Sequence, residues 1–205
     1  MSAKRRLQAI AAMLLGAAAL AAQAQAQVQT RSPHPADHWE FAVESGWLAK
    51  VRDNSPHEYR IVPVQAVWRS PVFAEVWRGA AGERLVLRHR LALVSEFIRN
   101  GPEDYYVAFA GAPSLQLWSA DGRQAAFLEV GGGAGFVNSK GVPGGQGQDL
   151  SFNWFAHLGW RRQLDARLGV TAGAYFTHHS NLGMTDPNPG IDVLGLNIGV
   201  VWTLD

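Results

Sequence analysis

From residue 39 onward the chain breaks into stretches of about ten residues in which apolar and polar side chains alternate with period two, and no helical period competes with them. Such alternation commits a chain to β-strands with two unlike faces. Eight stretches follow this rule, at 39–49, 59–69, 83–96, 105–118, 125–136, 150–162, 166–180 and 191–203. In the sixth, Phe152, Trp154, Ala156, Leu158 and Trp160 share one face, and Ser151, Asn153, His157 and Arg161 share the other. In the eighth, Leu194, Leu196, Ile198, Val200 and Trp202 oppose Gly195, Asn197 and Gly199.

A soluble sandwich and a membrane barrel both produce this pattern, with the apolar face turned inward in one and outward in the other. Two further features favour the barrel. The chain begins with Lys4, Arg5 and Arg6, an apolar run from Ala9 to Ala22 and small residues ending at Ala26. That is the layout of a secretory signal peptide, so residues 1–26 are expected to be removed and 27–205 to form one domain. Tryptophan is also abundant, with 8 in 205 residues, and Trp154, Trp160 and Trp202 stand toward the ends of apolar faces, where indole rings meet a membrane interface. The expected fold is all-β, an eight-stranded antiparallel transmembrane β-barrel of a Gram-negative outer membrane. Glu129 should then face the interior, which side chains fill in small barrels.

Several function classes drop out. The chain has no cysteine, which removes disulfide scaffolds and thiolate metal sites, and its net charge of +1 is scattered, with no basic stripe for nucleic acid. The glycine run at 131–135 lacks the lysine and helix of a nucleotide loop and reads as a glycine-lined strand. The least regular span is 70–82, which follows Pro63 and Pro71 and is long for a periplasmic turn. The short connections at 119–124 and 162–165 belong on the periplasmic side, and the longer ones at 138–149 and 181–190 on the outside.

The polar stretch YFTHHSNLGMTDPNPGID, residues 175–192, lies at the outer end of the seventh and eighth strands. Parity puts His178 and Ser180 on the lipid-facing side, two residues apart, and Asp192 on the same side of the next strand. A serine hydroxyl needs a histidine to take its proton and a carboxylate to hold that histidine, and all three types converge here. His179 points to the interior and has no catalytic part; adjacent strand residues face opposite ways, so the two histidines do not form a metal site. From pattern alone, ordinary interfacial or loop polarity remains an alternative to catalysis.

The motif His178, Ser180, Asn181 (HxSN), then Pro187, Asn188 and Gly190 (PNxG), then an acid two residues on, resembles the lipid A 3-O-deacylase family, PagL. The resemblance is densest over 125–198. It implies a serine esterase hydrolysing the ester-linked 3-hydroxyacyl chain at position 3 of lipid A in lipopolysaccharide, at the cell outer membrane among its lipids. Ser180 would be the nucleophile, His178 the base and then acid, and Asp192 the orienting carboxylate. Asn181, Gly183 and Asn188 would support the oxyanion. No cofactor and no metal are required, no nucleic acid partner is implied, and a homodimer is left open. The family usually carries glutamate where this chain has Asp192. An outer-membrane phospholipase using the same serine chemistry, and a non-enzymatic structural or adhesive small barrel, stand as alternatives.

Overall fold

In a computed structural model of the protein, residues 34–204 are described; the signal peptide expected at 1–26 lies outside them. After a short 3-10 turn at Pro35–Asp37 come β1 (Glu40–Lys50), β2 (Arg60–Arg69), β3 (Ala74–Arg78), β4 (Arg84–Asn100), β5 (Tyr105–Trp118), β6 (Gln124–Val137), β7 (Leu150–Gln163), β8 (Leu168–Ser180) and β9 (Ile191–Thr203). All pairings are antiparallel. Sequential neighbours from β4 to β9 form a meander, β9 returns to β1, β1 pairs with β2, and β2 pairs with β4, closing eight strands into a barrel. Closure leaves the wall formed by these eight strands without a free edge, which is the condition for a sheet in lipid.

The exception to the eight expected strands is β3, which falls within the irregular span 70–82. Below the end of β2, where Arg69 meets Arg90, β3 takes over the pairing of β4 at Ala74 and Leu87. With only 5 residues and one partner strand it lies outside the barrel wall, which is why its alternation was too short to read. The fourth stretch also runs longer than expected, to Asn100. Pro63 sits within β2, opposite Glu96, and its carbonyl accepts a hydrogen bond from Ser45 Oγ at 2.9 Å.

The two faces divide as the alternation requires. Leu93, Phe109, Leu128, Val130, Leu158, Leu196 and Ile198 are exposed on the outside, a belt that only an apolar solvent tolerates. Aromatic rings edge it: Trp68 and Trp202 flank Phe41 near the chain ends, with centroids 5.4 and 6.0 Å away, and Trp47, Trp154 and Phe136 stand near the other rim. Inside, a charged lattice fills the barrel. Glu44 and Glu129 lie between Arg69 and Arg90, and Glu40 is held by Arg88 and Arg161. The interior of β6 above Glu129 is glycine because β5 crosses it closely: a Cβ on Gly133 would come within 2.0 Å of the Phe109 carbonyl oxygen.

Turn chemistry sets the two ends. At the end bearing Glu40 and Thr203, the Asp165 carboxylate accepts the N–H groups of Arg167 and Leu168, both at 2.8 Å, and these bonds hold its pKa below the ordinary aspartate value. At the opposite end the short β4–β5 connection, which carries Glu103, ties the longer loops together. Tyr59 donates to Glu103 at 2.8 Å, Ser139 donates to the same carboxylate at 2.7 Å, and the Gln146 N–H donates to Ser139 Oγ. Burial and the Glu103 carboxylate raise the Tyr59 phenol above its ordinary pKa, so it stays a donor. This upper rim carries the 181–190 loop.

Candidate active site

Register brings the catalytic candidates together. In the β8–β9 ladder His178 lies directly opposite Asp192, and in the β7–β8 ladder His178 meets Trp154 while Ser180 meets Phe152. Directly opposed side chains on one face of a sheet stand about 5 Å apart at Cβ, close enough for side-chain hydrogen bonds. The His178 Nδ1 to Asp192 Oδ1 distance is 2.7 Å. An ionised carboxylate can only accept, so Nδ1 carries the proton and Nε2 is left free to act as a base.

Burial grades outward through this pair. The Asp192 side chain is 2% exposed, whereas that of His178 is 26% exposed. Ser180, two residues further along the same outer face, is buried at the end of β8, and its carbonyl is anchored by Ser151 Oγ from β7 at 3.3 Å. Among the described residues no hydrogen bond links the Ser180 hydroxyl to the His178 ring. Nucleophile and base contacts of this kind are commonly long without substrate and tighten when it binds. His179 faces the interior, where Nε2 lies 3.1 Å from Glu96 and the Tyr106 ring packs edge-on.

The loop between β8 and β9 is organised around Asn181, which is fully buried. Its Nδ2 donates to the carbonyls of Gln146 and Thr185, each at 2.6 Å, and its Oδ1 accepts the Gly183 N–H at 2.8 Å. The Asn181 N–H in turn donates to Asn188 Oδ1 at 3.0 Å. The three residues expected around the oxyanion therefore bind one another. Asn181 and Gly183 spend their donors on the loop, and among the described residues the Asn188 Nδ2 is the donor left without a partner. Replacing Asn181 by alanine removes these anchors, one of them from the carbonyl of the buried Gln146. It should destabilise the loop by about 1–3 kcal/mol, seen as faster proteolysis within 181–190 while the barrel stays intact.

Gly190 is required twice over. Its φ of +71° is left-handed, and a Cβ there would approach His178 Cε1 to 3.2 Å and Asn54 Nδ2 to 3.0 Å. Asn54 and Arg52, from the loop after β1, were not among the residues singled out in the sequence. Asn54 Nδ2 donates to Asp192 Oδ2 at 2.8 Å, and Arg52 Nη1 lies 3.7 Å from the same oxygen. The signal that would have found them is barrel closure, which puts the end of β1 against the start of β9. Taken together, the site offers a carboxylate-held histidine, a neighbouring hydroxyl and an amide donor on the outer face of the barrel rim, the set that acyl transfer needs.

A family model described as Lipid A 3-O-deacylase (PagL) matches residues 22–201. Among solved structures, the crystal structure of the outer membrane enzyme PagL is similar at a TM-score of 0.55 and 18% sequence identity, covering 78% of this chain and 97% of that one. No curated protein matches the chain.

Proposed function

The chain belongs to the lipid A 3-O-deacylase family (PagL), and from that premise we propose that it is an outer-membrane serine esterase that removes the ester-linked 3-hydroxyacyl chain at position 3 of lipid A. The observation that carries the mechanism is the 2.7 Å contact of His178 with Asp192 on the outward face, two residues from Ser180. Polar groups at a lipid-facing rim are costly, so a buried acid paired there with histidine points to chemistry. The site stands at the end of the barrel that carries the long connections 138–149 and 181–190, where the outer leaflet and the lipid A esters would lie.

In this reading Ser180 Oγ attacks the acyl carbonyl while His178 Nε2 takes the hydroxyl proton, and Asp192 stabilises the imidazolium that forms. The tetrahedral oxyanion is met by Asn188 Nδ2, a donor of a kind worth about 3 kcal/mol, with Asn181 and Gly183 shaping the loop that presents it. Collapse breaks the ester bond. The lipid A 3-hydroxyl leaves with the proton from His178, and the acyl group stays on Ser180. Water then attacks the acyl-enzyme with His178 again as base, releasing a 3-hydroxy fatty acid and restoring Ser180. The chemistry so written calls for no cofactor.

The test is to incubate the purified full-length protein with lipid A and with glycerophospholipid in mixed micelles and to identify the acid released. Loss of one 3-hydroxyacyl mass from lipid A, with a serine-directed phosphonate attached at Ser180, supports the proposal. Release of non-hydroxylated acids from glycerophospholipid alone makes the protein a phospholipase, and absence of both reactions makes it a non-enzymatic barrel.

A further inference from the structure

The loop after β1 is fastened so that one amide reaches the acid of the site. The Lys50 N–H donates to the Tyr59 carbonyl at 3.0 Å, closing the loop, and Lys50 Nζ donates to the Ser55 carbonyl at 2.9 Å. Its first residue joins β9 directly, the Val51 N–H donating to the Asp192 carbonyl at 3.0 Å. Asn54 then meets the side chain of the same aspartate, donating from Nδ2 to Oδ2 at 2.8 Å while Oδ1 stays with His178. The space for this amide exists because residue 190 is glycine, as any Cβ there would press on both Asn54 and His178.

We propose that Asn54 is a positioning residue for the reaction, acting through Asp192. The inference rests on the Ser180, His178 and Asp192 reading. The terminal torsion of an aspartate is broad, so a carboxylate held by one oxygen can swing away from its histidine. A second donor on Oδ2 fixes the carboxylate plane, keeps Oδ1 on His178 Nδ1, and so keeps the proton off Nε2. Asn54 does this without charge. Arg52 reaches the same oxygen only at 3.7 Å, from a side chain that is 72% exposed, so solvent and salt screen its contribution. The groups facing His178 are Asp192 from β9, Trp154 from β7 and Gly190. Arg52, Asn54 and His178 face the Asp192 carboxylate.

The experiment measures lipid A deacylation by the full chain in mixed micelles across pH, for the wild type, Ser180→Ala, Asn54→Ala and Asn54→Asp, each checked for folding by heat-modifiable electrophoretic mobility. Asn54→Ala should lower kcat by about tenfold to a hundredfold with KM little changed, the scale of losing a fixed reacting geometry. Asn54→Asp sets a second carboxylate beside Asp192, which favours protonated His178. The acid limb of the pH–rate profile should therefore move upward by about one unit, a change that a merely structural role of the loop would not produce. Wild-type kcat and pH profile in both variants, or equal losses in kcat and substrate binding with an unmoved profile, overturn the inference. A Ser180→Ala protein that remains active overturns the triad reading itself, whatever the Asn54 variants do.

Discussion

Replacing Ser180 by alanine is expected to reduce lipid A deacylation by about five orders of magnitude while the barrel folds as before. The size follows from how such triads work: nucleophile and base act as one unit, and what survives the loss of either is the modest catalysis of oxyanion donors and binding. His178→Ala should fall to the same residual level, and the double variant no further, since the second change removes nothing that still functions. Folding is spared for a local reason. Ser180 closes the outer end of β8 through its backbone, its carbonyl bonded to Ser151, and alanine keeps that backbone. In His178→Ala the Asp192 carboxylate keeps Asn54 and Arg52 as partners, so no buried charge is orphaned. Mass spectrometry of lipid A from cells expressing each variant reads the result. A Ser180→Ala protein that still removes the 3-hydroxyacyl chain would falsify the assignment of the nucleophile.

What made this site legible in advance was parity. Strand alternation states which side of the wall each residue faces, and two adjacent strands joined by a ten-residue loop must bring their loop-proximal ends together. Alternation alone therefore pairs His178 with Asp192 and turns His179 to the interior. Two things lay beyond that logic. The β1–β2 loop meets β9 only because the first and last strands pair in the register Lys50 to Val193, and long-range register is not written in any local window. Asn54 was invisible for that reason. The other is the internal economy of the 181–190 loop. The motif groups Asn181, Gly183 and Asn188, yet residue type cannot say that the Gly183 N–H is spent on Asn181 and the Asn181 N–H on Asn188. The strand β3 was missed on different grounds, because Ala74–Arg78 pairs along one edge below the wall and has too few residues to establish a period.

The largest effect on stability is expected from Glu129→Ala, in the charged interior. One of its oxygens accepts from Arg69 Nε at 3.0 Å and Ser114 Oγ at 2.8 Å, and the other lies 3.0 Å from Arg90 Nε and 3.4 Å from His157 Nδ1. These partners stand on β2, β5, β4 and β7, so one carboxylate braces four strands across the lumen. Its removal leaves Glu44 as the carboxylate facing both guanidinium groups, already 2.7 Å from Arg69 and 3.4 Å from Arg90. An uncompensated buried charge costs about 3–5 kcal/mol, whereas removing both partners of a buried pair is often neutral. Urea unfolding in phospholipid micelles should therefore show a large loss for Glu129→Ala, and most of it recovered in Glu129→Leu combined with Arg69→Met. Glu129 lies in register with His157 and Tyr175, below His178, and faces the opposite side of the wall. The folded fraction of the single variant should accordingly keep wild-type kcat. A fall in kcat without a fall in stability would mean that the interior lattice tunes the site on the outer face, and that the separation between a charged core for folding and a rim for chemistry is wrong.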